Sequence, residues 1–373
     1  MPSSFTLPPY ETCPTSEANR LGVDYRAVAD RLGRALVDII DAHTHINGER
    51  ASRIYADARA AFGVTHTWSQ TQLGQAETVR NVLGDTVSFV AIPDYMSDDP
   101  LRAHTTGFLE AIGTWHTLGA RVVKFWCGPR GRDVGARVGH PKLLTLESDW
   151  RRRQMDRAAE LGYMFMVHIA DPDTWFRTKY SDESFYGSKP SHYEALEKLA
   201  DLYPVPWQLA HMGGWPEDLD FLDGLLTRHP NFILDTSATR WMVRELSKQP
   251  SDRLVAFLRK FEGRVLFGSD IVSMDAHLSA DPGPRDMGRQ ASSESDAFDL
   301  YASRYGALRM LFETDYRGES PIADPDLHMI DPQGFTPMDG PPLHGHALPE
   351  DLLRSLYRSS AEGVLHRWQS EHA

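Results

Sequence analysis

Two histidines one residue apart, His43 and His45, end the run Ile39-Ile40-Asp41-Ala42-His43-Thr44-His45. Side chains alternate along a strand, so both imidazoles project from one side, about 7 Å apart along it. Asp41 shares that side one step deeper, where a carboxylate can orient a ligand ring. Alone, such a pair reads as one satisfied core histidine and one loop residue. Three more residues change that reading. His168 closes Tyr163–Val167, His211 closes Trp207–Ala210 and Asp270 closes Val265–Ser269. One ionisable residue ending one hydrophobic strand is ordinary; packing does not explain imidazole or carboxylate at the ends of four. Imidazole nitrogens with one carboxylate oxygen suit zinc, with manganese, iron or cobalt as substitutes. Zinc lowers the pKa of a bound water from 15.7 to about 7, which yields a nucleophile at neutral pH.

A second group of residues could meet a substrate. Lys124 lies in Arg121–Trp126, a further β-rich run. Its ammonium either binds an anionic group or sits in water while its stem packs on aromatics. Trp126 ends that run, Trp175, Arg177, Tyr180 and Tyr186 lie in the segment Asp171–Ser191, and Arg240 and Trp241 follow Asn231–Thr236. An aromatic pocket holding Arg240 and Lys124 suits a carboxylate on an aromatic, lactone or dicarboxylic skeleton. Loop packing accounts for the same aromatics equally well.

Positioning these groups takes strands that end at one level. Eight β-rich runs are present: Val37–Ile46, Gly63–Thr67, Val87–Ile92, Ala120–Trp126, Tyr163–Ile169, Pro206–His211, Asn231–Thr236 and Arg264–Ile271. Several are near-continuously apolar, as parallel strands covered on both faces must be. Helical patterns lie between them, including Trp150–Leu161, Tyr193–Leu202, Leu219–Arg228 and Ser251–Phe261, with Gly162 and Gly263 at helix ends. The count predicts a (β/α)8 TIM barrel, whose active sites gather at the C-terminal ends of the strands. No G-x-G-x-x-G follows the first strand, as a doubly wound dinucleotide fold usually requires. Residues 1–36 form an N-terminal extension with a helix at Tyr25–Leu36, and residues 37–373 form the barrel. Within it, 318–348 is a long loop insertion after strand eight, rich in Pro, Asp, Gly and His, and 349–368 is a closing amphipathic helix. The run Arg151-Arg152-Arg153 reads as the solvated face or the N-terminal part of a helix.

A net charge of −13 argues against binding a nucleic-acid backbone. The proportions of 41% hydrophobic and 24% charged residues are those of a soluble globular chain. Two cysteines, Cys13 and Cys127, make no disulfide framework. With no signal peptide and no membrane span in view, a cytoplasmic protein is expected, with no membrane partner and homo-oligomerisation left open.

The pattern IDAHTH on strand one, the histidines ending strands five and six, and the Asp of VLFGSD (Val265–Asp270) on strand eight resemble the amidohydrolase superfamily. More narrowly, LAHMGG (Leu209–Gly214), LDTS (Leu234–Ser237) and the closing LPEDLLRSLYRSSA are similar to the amidohydrolase-2 branch, which includes aminocarboxymuconate-semialdehyde decarboxylase and its relatives. The likeness runs from about Val37 to His366. It implies one divalent metal, zinc first, held by His43, His45, His168 and Asp270. It implies His211 as the base or the group orienting the water, with Asp270 counted as catalytic too. Lys124, Trp126, Trp175 and Arg240 then serve a small anionic substrate. Other branches carry a carboxylated lysine on strand four bridging two metals, whereas this branch is generally mononuclear. The implied activity is metal-dependent hydrolysis of an ester, lactone or amide of a small carboxylate. Non-hydrolytic decarboxylation or hydration by the same constellation is the alternative. The loop after strand one, Asn47-Gly48-Glu49, is shorter than decarboxylase relatives often carry, which weakens transfer of their substrate.

Overall fold

Eight hydrophobic runs become the staves of one barrel in the computed structural model, which describes residues 5–8, 15–281 and 289–371. The strands are β1 Ile39–Ile46, β2 Val64–Ser69, β3 Val87–Ala91, β4 Val122–Trp126, β5 Met164–His168, β6 Trp207–Leu209, β7 Phe232–Asp235, β8 Val265–Leu266 and β9 Ile271–Ser273. All pair in parallel, in the order β8-β7-β6-β5-β4-β3-β2-β1-β9. β8 and β9 are two halves of the eighth stave. Between them, Ala42 N donates to Phe267 O at 2.8 Å and Asp270 N donates to His43 O at 2.8 Å, which closes the ring onto β1. Met164 to Val167 of β5 are wholly buried, because helices cover the outside while side chains fill the inside.

Register sets the height of each interior group. Trp126 pairs with His168 and Lys124 with Met166. Trp126 and His168 therefore share one level at the barrel mouth, and Lys124 lies one step deeper on the same face. Gly162 and Gly263 leave their helices at φ +70° and +79°, the conformation that ends a helix at lowest steric cost.

Two staves stop well short of where their hydrophobic runs suggest. β6 ends at Leu209 and the eighth stave breaks after Leu266. Backbone in the left-handed region lies at those breaks, at His211 (φ 60°) and Asp270 (φ 61°), and beyond β7 at Ala238 (φ 61°). Such conformations in non-glycine residues are costly and persist where neighbours over-determine them. The glycines beside them allow the close approach. A Cβ on Gly214 would lie 2.2 Å from Ala170 O, and one on Gly268 would lie 3.1 Å from the His43 Cβ.

Other sequence expectations are corrected. The run Arg151–Arg153 does lie in the N-terminal part of the helix Asp149–Glu160, but Arg151 is not on a solvated face: it is 1% exposed. It donates to Trp126 O at 3.1 Å and Gln154 Oε1 at 2.9 Å, with its guanidinium about 6 Å from the Phe108 and Phe125 rings. The first turn of its helix lies against the barrel wall, so the arginine caps β4 instead of meeting water. Segment 318–348 is not one aperiodic loop. Arg317–Glu319 (β10) and Pro342–His344 (β11) pair antiparallel, with a helix at Pro325–Ile330 between them. The closing helix is helical from Glu350 to Glu371 but widens over Ser355–Ser359. The N-terminal helix is Tyr25–Leu32, and it buries Tyr25 and Val28 in the main core. Cys127 is buried and free, and Cys13 lies outside the described residues. Among the described residues no helix is long and apolar enough to cross a membrane.

Candidate metal centre

β1 carries His43 and His45 on one face, with ring centroids 5.7 Å apart. The left-handed turn at Asp270 swings its carboxylate between them. Asp270 Oδ1 is 3.1 Å from His45 Nε2 and 3.4 Å from His43 Nε2. The three donor atoms lie within 4.8 Å of one another. The His43 side chain is 1% exposed, whereas His45 is 27% and Asp270 29% exposed, so the cluster is walled on one side and open on the other. A set of two imidazole nitrogens and one carboxylate oxygen, partly desolvated and open to a cavity, is what a divalent transition ion requires.

Three of the imidazoles have one nitrogen occupied by a fixed partner. Nδ1 of His43 lies 3.0 Å from Asp235 Oδ2. The Ser237 hydroxyl donates to Asp235 Oδ1, so its oxygen is free to accept from His211 Nδ1 at 2.8 Å. His168 Nε2 is 2.8 Å from Asp171 Oδ1, whose other oxygen accepts from Tyr180 Oη at 2.7 Å. A carboxylate partner fixes the tautomer with a proton on the nitrogen facing it. His43 is thereby left with a lone pair on Nε2 and His168 with one on Nδ1; at His211 the Ser237 oxygen takes the Nδ1 proton and leaves the lone pair on Nε2.

Asp235 and His43 also group with His211 as a triad of candidate ligands. The Asp235 oxygens are already saturated, however. They accept from Gln208 Nε2 (2.7 Å), His211 N (2.9 Å) and Ser237 N (3.0 Å) as well as from His43. Asp235 therefore orients. The bond to His211 N is also what pins that residue in its left-handed conformation.

Burial pushes the Asp235 carboxyl up, but the adjoining His43 ring and its hydrogen bond outweigh it and hold the group far below the ordinary range. Asp270 follows the same balance, with burial opposed first by the His45 hydrogen bond. Burial, then the Lys124 charge, lowers the His43 pKa; burial, then His168, lowers that of His211 further. Neutral imidazoles beside ionised carboxylates are the protonation states that ligate a cation. Lys124, 3% exposed, has its Nζ 3.4 Å from His43 Nε2, and burial brings its pKa down to about 8.

The remaining expected residues are distributed around this cluster. His211 stacks at a tilt on His43, 5.0 Å between centroids, and His168 meets His211 edge-on at 4.6 Å. His168 does not join the three converging donors; its free Nδ1 belongs to a ring beside them. Asp41, expected to orient a ligand ring, touches none. It accepts from His43 N (3.1 Å), Ser269 Oγ (2.6 Å) and Tyr305 Oη (2.8 Å), and burial raises its pKa to about 7. It faces the floor of the barrel, where it ties β1 to the eighth stave.

Above the cluster opens a cavity of about 2070 Å³ whose lining includes Trp126, Trp175, Arg240 and Trp241. Trp241 stands edge-on to His211 at 5.5 Å. Asp326, from the inserted segment, accepts from both indoles: Trp175 Nε1 at 2.8 Å and Trp241 Nε1 at 3.0 Å. Sequence reasoning missed Asp235, Ser237, Asp171 and Asp326. The first two sit in the LDTS phrase and Asp171 is three residues after His168, so those signals were present. Asp326 had none, because nothing in an aperiodic segment tells where it folds back.

The family model described as Amidohydrolase matches residues 55–367. That span holds His168, His211 and Asp270 and starts after the His43/His45 pair. A search of curated proteins finds no match. Among solved structures the chain is similar to a probable 2-pyrone-4,6-dicarboxylic acid hydrolase from Acinetobacter baumannii with citric acid bound. The identity is 12% and the TM-score 0.42, covering 72% of this chain and 92% of that one. It is similar to a 5-carboxyvanillate decarboxylase from Sphingomonas paucimobilis at 12% identity and TM-score 0.37, over 73% and 98%. A dihydropyrimidinase from Brevibacillus agri is similar at 12% identity and TM-score 0.39, over 84% and 83%.

Proposed function

Because this chain belongs to the amidohydrolase family, we propose that it is a metal-dependent hydrolase in which His43, His45, His168 and Asp270 hold one divalent ion, zinc first. The barrel of residues 37–373 forms the catalytic unit and residues 1–36 an extension of it. The observation that carries the reading is the convergence of His43 Nε2, His45 Nε2 and Asp270 Oδ1 at the cavity floor, beside His211 with its Nδ1 held by Ser237. A divalent ion bound there supplies Lewis acidity and brings the pKa of water toward neutrality.

The protein's own groups do the rest. Asp235 and Asp171 fix the tautomers of His43 and His168. His211, neutral and with Nε2 free, takes the proton of the attacking water and returns it to the leaving group, typically worth ~100- to 10,000-fold in rate. Lys124 and Arg240 meet the anionic groups of an ester, lactone or amide, and Trp126 and Trp175 bound its carbon skeleton. Two measurements test this together: elemental analysis of protein purified without added metal, and turnover of a panel of such substrates. The expectation is one metal per chain and hydrolysis that stops on chelation. A metal-free protein with full turnover removes the reading, and close to two metals per chain makes Lys124 a carboxylated bridging ligand.

The second reading, decarboxylation, is favoured by two proton carriers, His211 and Lys124, beside the same cluster. Turnover in heavy-oxygen water separates the two. Solvent oxygen in the product without carbon dioxide means hydrolysis; stoichiometric carbon dioxide with no label means a lyase.

A further inference from the structure

The helix Thr239–Leu246 follows strand seven and packs on the long helix Glu294–Glu313, with Val243 of the first in one apolar cluster with Ala307 and Met310 of the second. Three residues earlier, about one turn, each helix carries an arginine: Arg240 on the first and Arg304 on the second. Both line the cavity above the candidate metal centre. Among the described residues neither guanidinium is within 4.0 Å of a carboxylate oxygen. The one hydrogen bond Arg304 makes there is to Ser303 Oγ at 2.8 Å.

Several acids in or beside the cavity are already engaged. Arg244 holds Asp324, the acid whose charge Arg240 feels, and it also holds Asp326 at 3.2 Å. Asp275 accepts from Ala51 N at 2.8 Å, and Glu110 pairs with Arg102 at 3.0 Å. Two guanidiniums with no ion-pair partner among the described residues thus face one cavity in a chain of net charge −13. Burial, and then the Arg240 charge, brings the Arg304 pKa down to about 9. The helix bearing Arg240 also starts without a side-chain cap, so its N-terminal dipole adds positive potential at the same place.

We propose that Arg304 and Arg240 form a second anion-binding position in the cavity, which takes a carboxylate of the substrate far from the reacting carbon. Guanidinium forks match carboxylate geometry in bidentate fashion, and a bound anion neutralises the repulsion between them. The substrate class narrows to dianions. One anionic group sits at the Lys124 end and one in the arginine pair, with the aromatic walls between. This narrowing rests on the proposed small-carboxylate hydrolase; the arginine site itself does not.

Calorimetric titration of the full-length protein tests it, with succinate, glutarate and adipate as dicarboxylates, butyrate as monocarboxylate, and inorganic phosphate. The proteins are wild type, Arg304→Gln, Arg304→Lys and Arg240→Gln, each with its metal content measured. At least one dicarboxylate should bind more tightly than butyrate and lose about tenfold or more in affinity in Arg304→Gln. Arg304→Lys should restore only part of it. The ligand-free melting temperature of Arg304→Gln should not fall, because an arginine that serves only the fold would be missed there. Dicarboxylate binding within twofold of wild type in Arg304→Gln overturns the proposal, as does wild type that binds no dicarboxylate or phosphate. Phosphate bound in place of the dicarboxylates, and lost in Arg304→Gln, overturns the carboxylate assignment and makes the group a phosphate. Metal-free protein that loses dicarboxylate binding in Arg304→Gln keeps the anion site and removes the metal-dependent reading. Metal-loaded protein whose binding ignores Arg304 does the reverse.

Discussion

Asp235, at the end of β7, holds Nδ1 of His43 at 3.0 Å across the barrel mouth, and so turns Nε2 of that ring toward His45 and Asp270. The same carboxylate takes the backbone amide of His211 at 2.9 Å. One buried acid therefore sets both the tautomer of a proposed ligand and the position of the proposed proton carrier. Partners of this kind typically contribute 10- to 100-fold to metal affinity. Asp235→Ala should lower metal affinity by roughly that factor, read as metal content after dialysis against graded chelator. A folded Asp235→Ala protein that keeps its metal like wild type would show that His43 needs no orienting group.

His168 and His211 separate in the same assay. His168→Ala should lose metal and activity together, since its Nδ1 is proposed as a ligand while Asp171 holds Nε2. His211→Asn should keep most of its metal and lose roughly 100-fold or more in turnover. Loss of metal in His211→Asn would make His211 a ligand and send the search for the base elsewhere.

Asp326 links the inserted segment to the cavity wall. Removing its carboxylate leaves two indole N–H groups without their acceptor, while Arg244 keeps Asp324 and Glu245. Asp326→Ala should cost about 1–3 kcal/mol of stability and shift tryptophan emission to longer wavelength as Trp175 and Trp241 loosen. Asp326→Asn retains one acceptor oxygen and should recover part of both effects. Wild-type emission and melting in Asp326→Ala would mean the aromatic wall stands without the insertion.

Acid sensitivity should come from two buried histidines outside the centre. Burial, and then the Arg151 charge, takes the His104 pKa down to about 3. Burial, and then Arg132, takes that of His192 down to about 4. Above the unfolded value of about 6.5 both states are neutral and neither residue affects the balance. Below it the unfolded chain gains protons that the native state refuses, so stability falls with pH. The slope approaches about 1.4 kcal/mol per pH unit for each histidine and ends only near the native pKa values. Melting curves between pH 7.5 and 4.5 should therefore show a steep acid limb, flatter in His104→Gln and in His192→Gln. An equally steep limb in both variants would assign the acid loss to the carboxylates.

The barrel was legible in the sequence because parallel strands buried on both faces must be apolar throughout. β5 shows this most clearly, and the helix Leu219–Arg228 falls where its pattern starts and stops. His43, His45 and Asp270 were legible as well, since an ionisable group at the end of a hydrophobic run stands out in one dimension. Tertiary structure alone decided which partners those groups take. Asp41 lies two residues from His43 yet braces Ser269 and Tyr305, whereas Asp235, 192 residues away, holds the ring. Proximity along a strand fixes a face, but a hydrogen bond depends on which neighbouring stave brings an acceptor to the same height. The same reason hid Arg151, whose charge in a basic run says nothing about the wall behind its helix, and Asp326, which reaches the cavity only because β10 and β11 pair. Periodicity reports what an element does to its own side chains. Where two elements meet is set by packing, and the chemistry at this barrel mouth is made of such meetings.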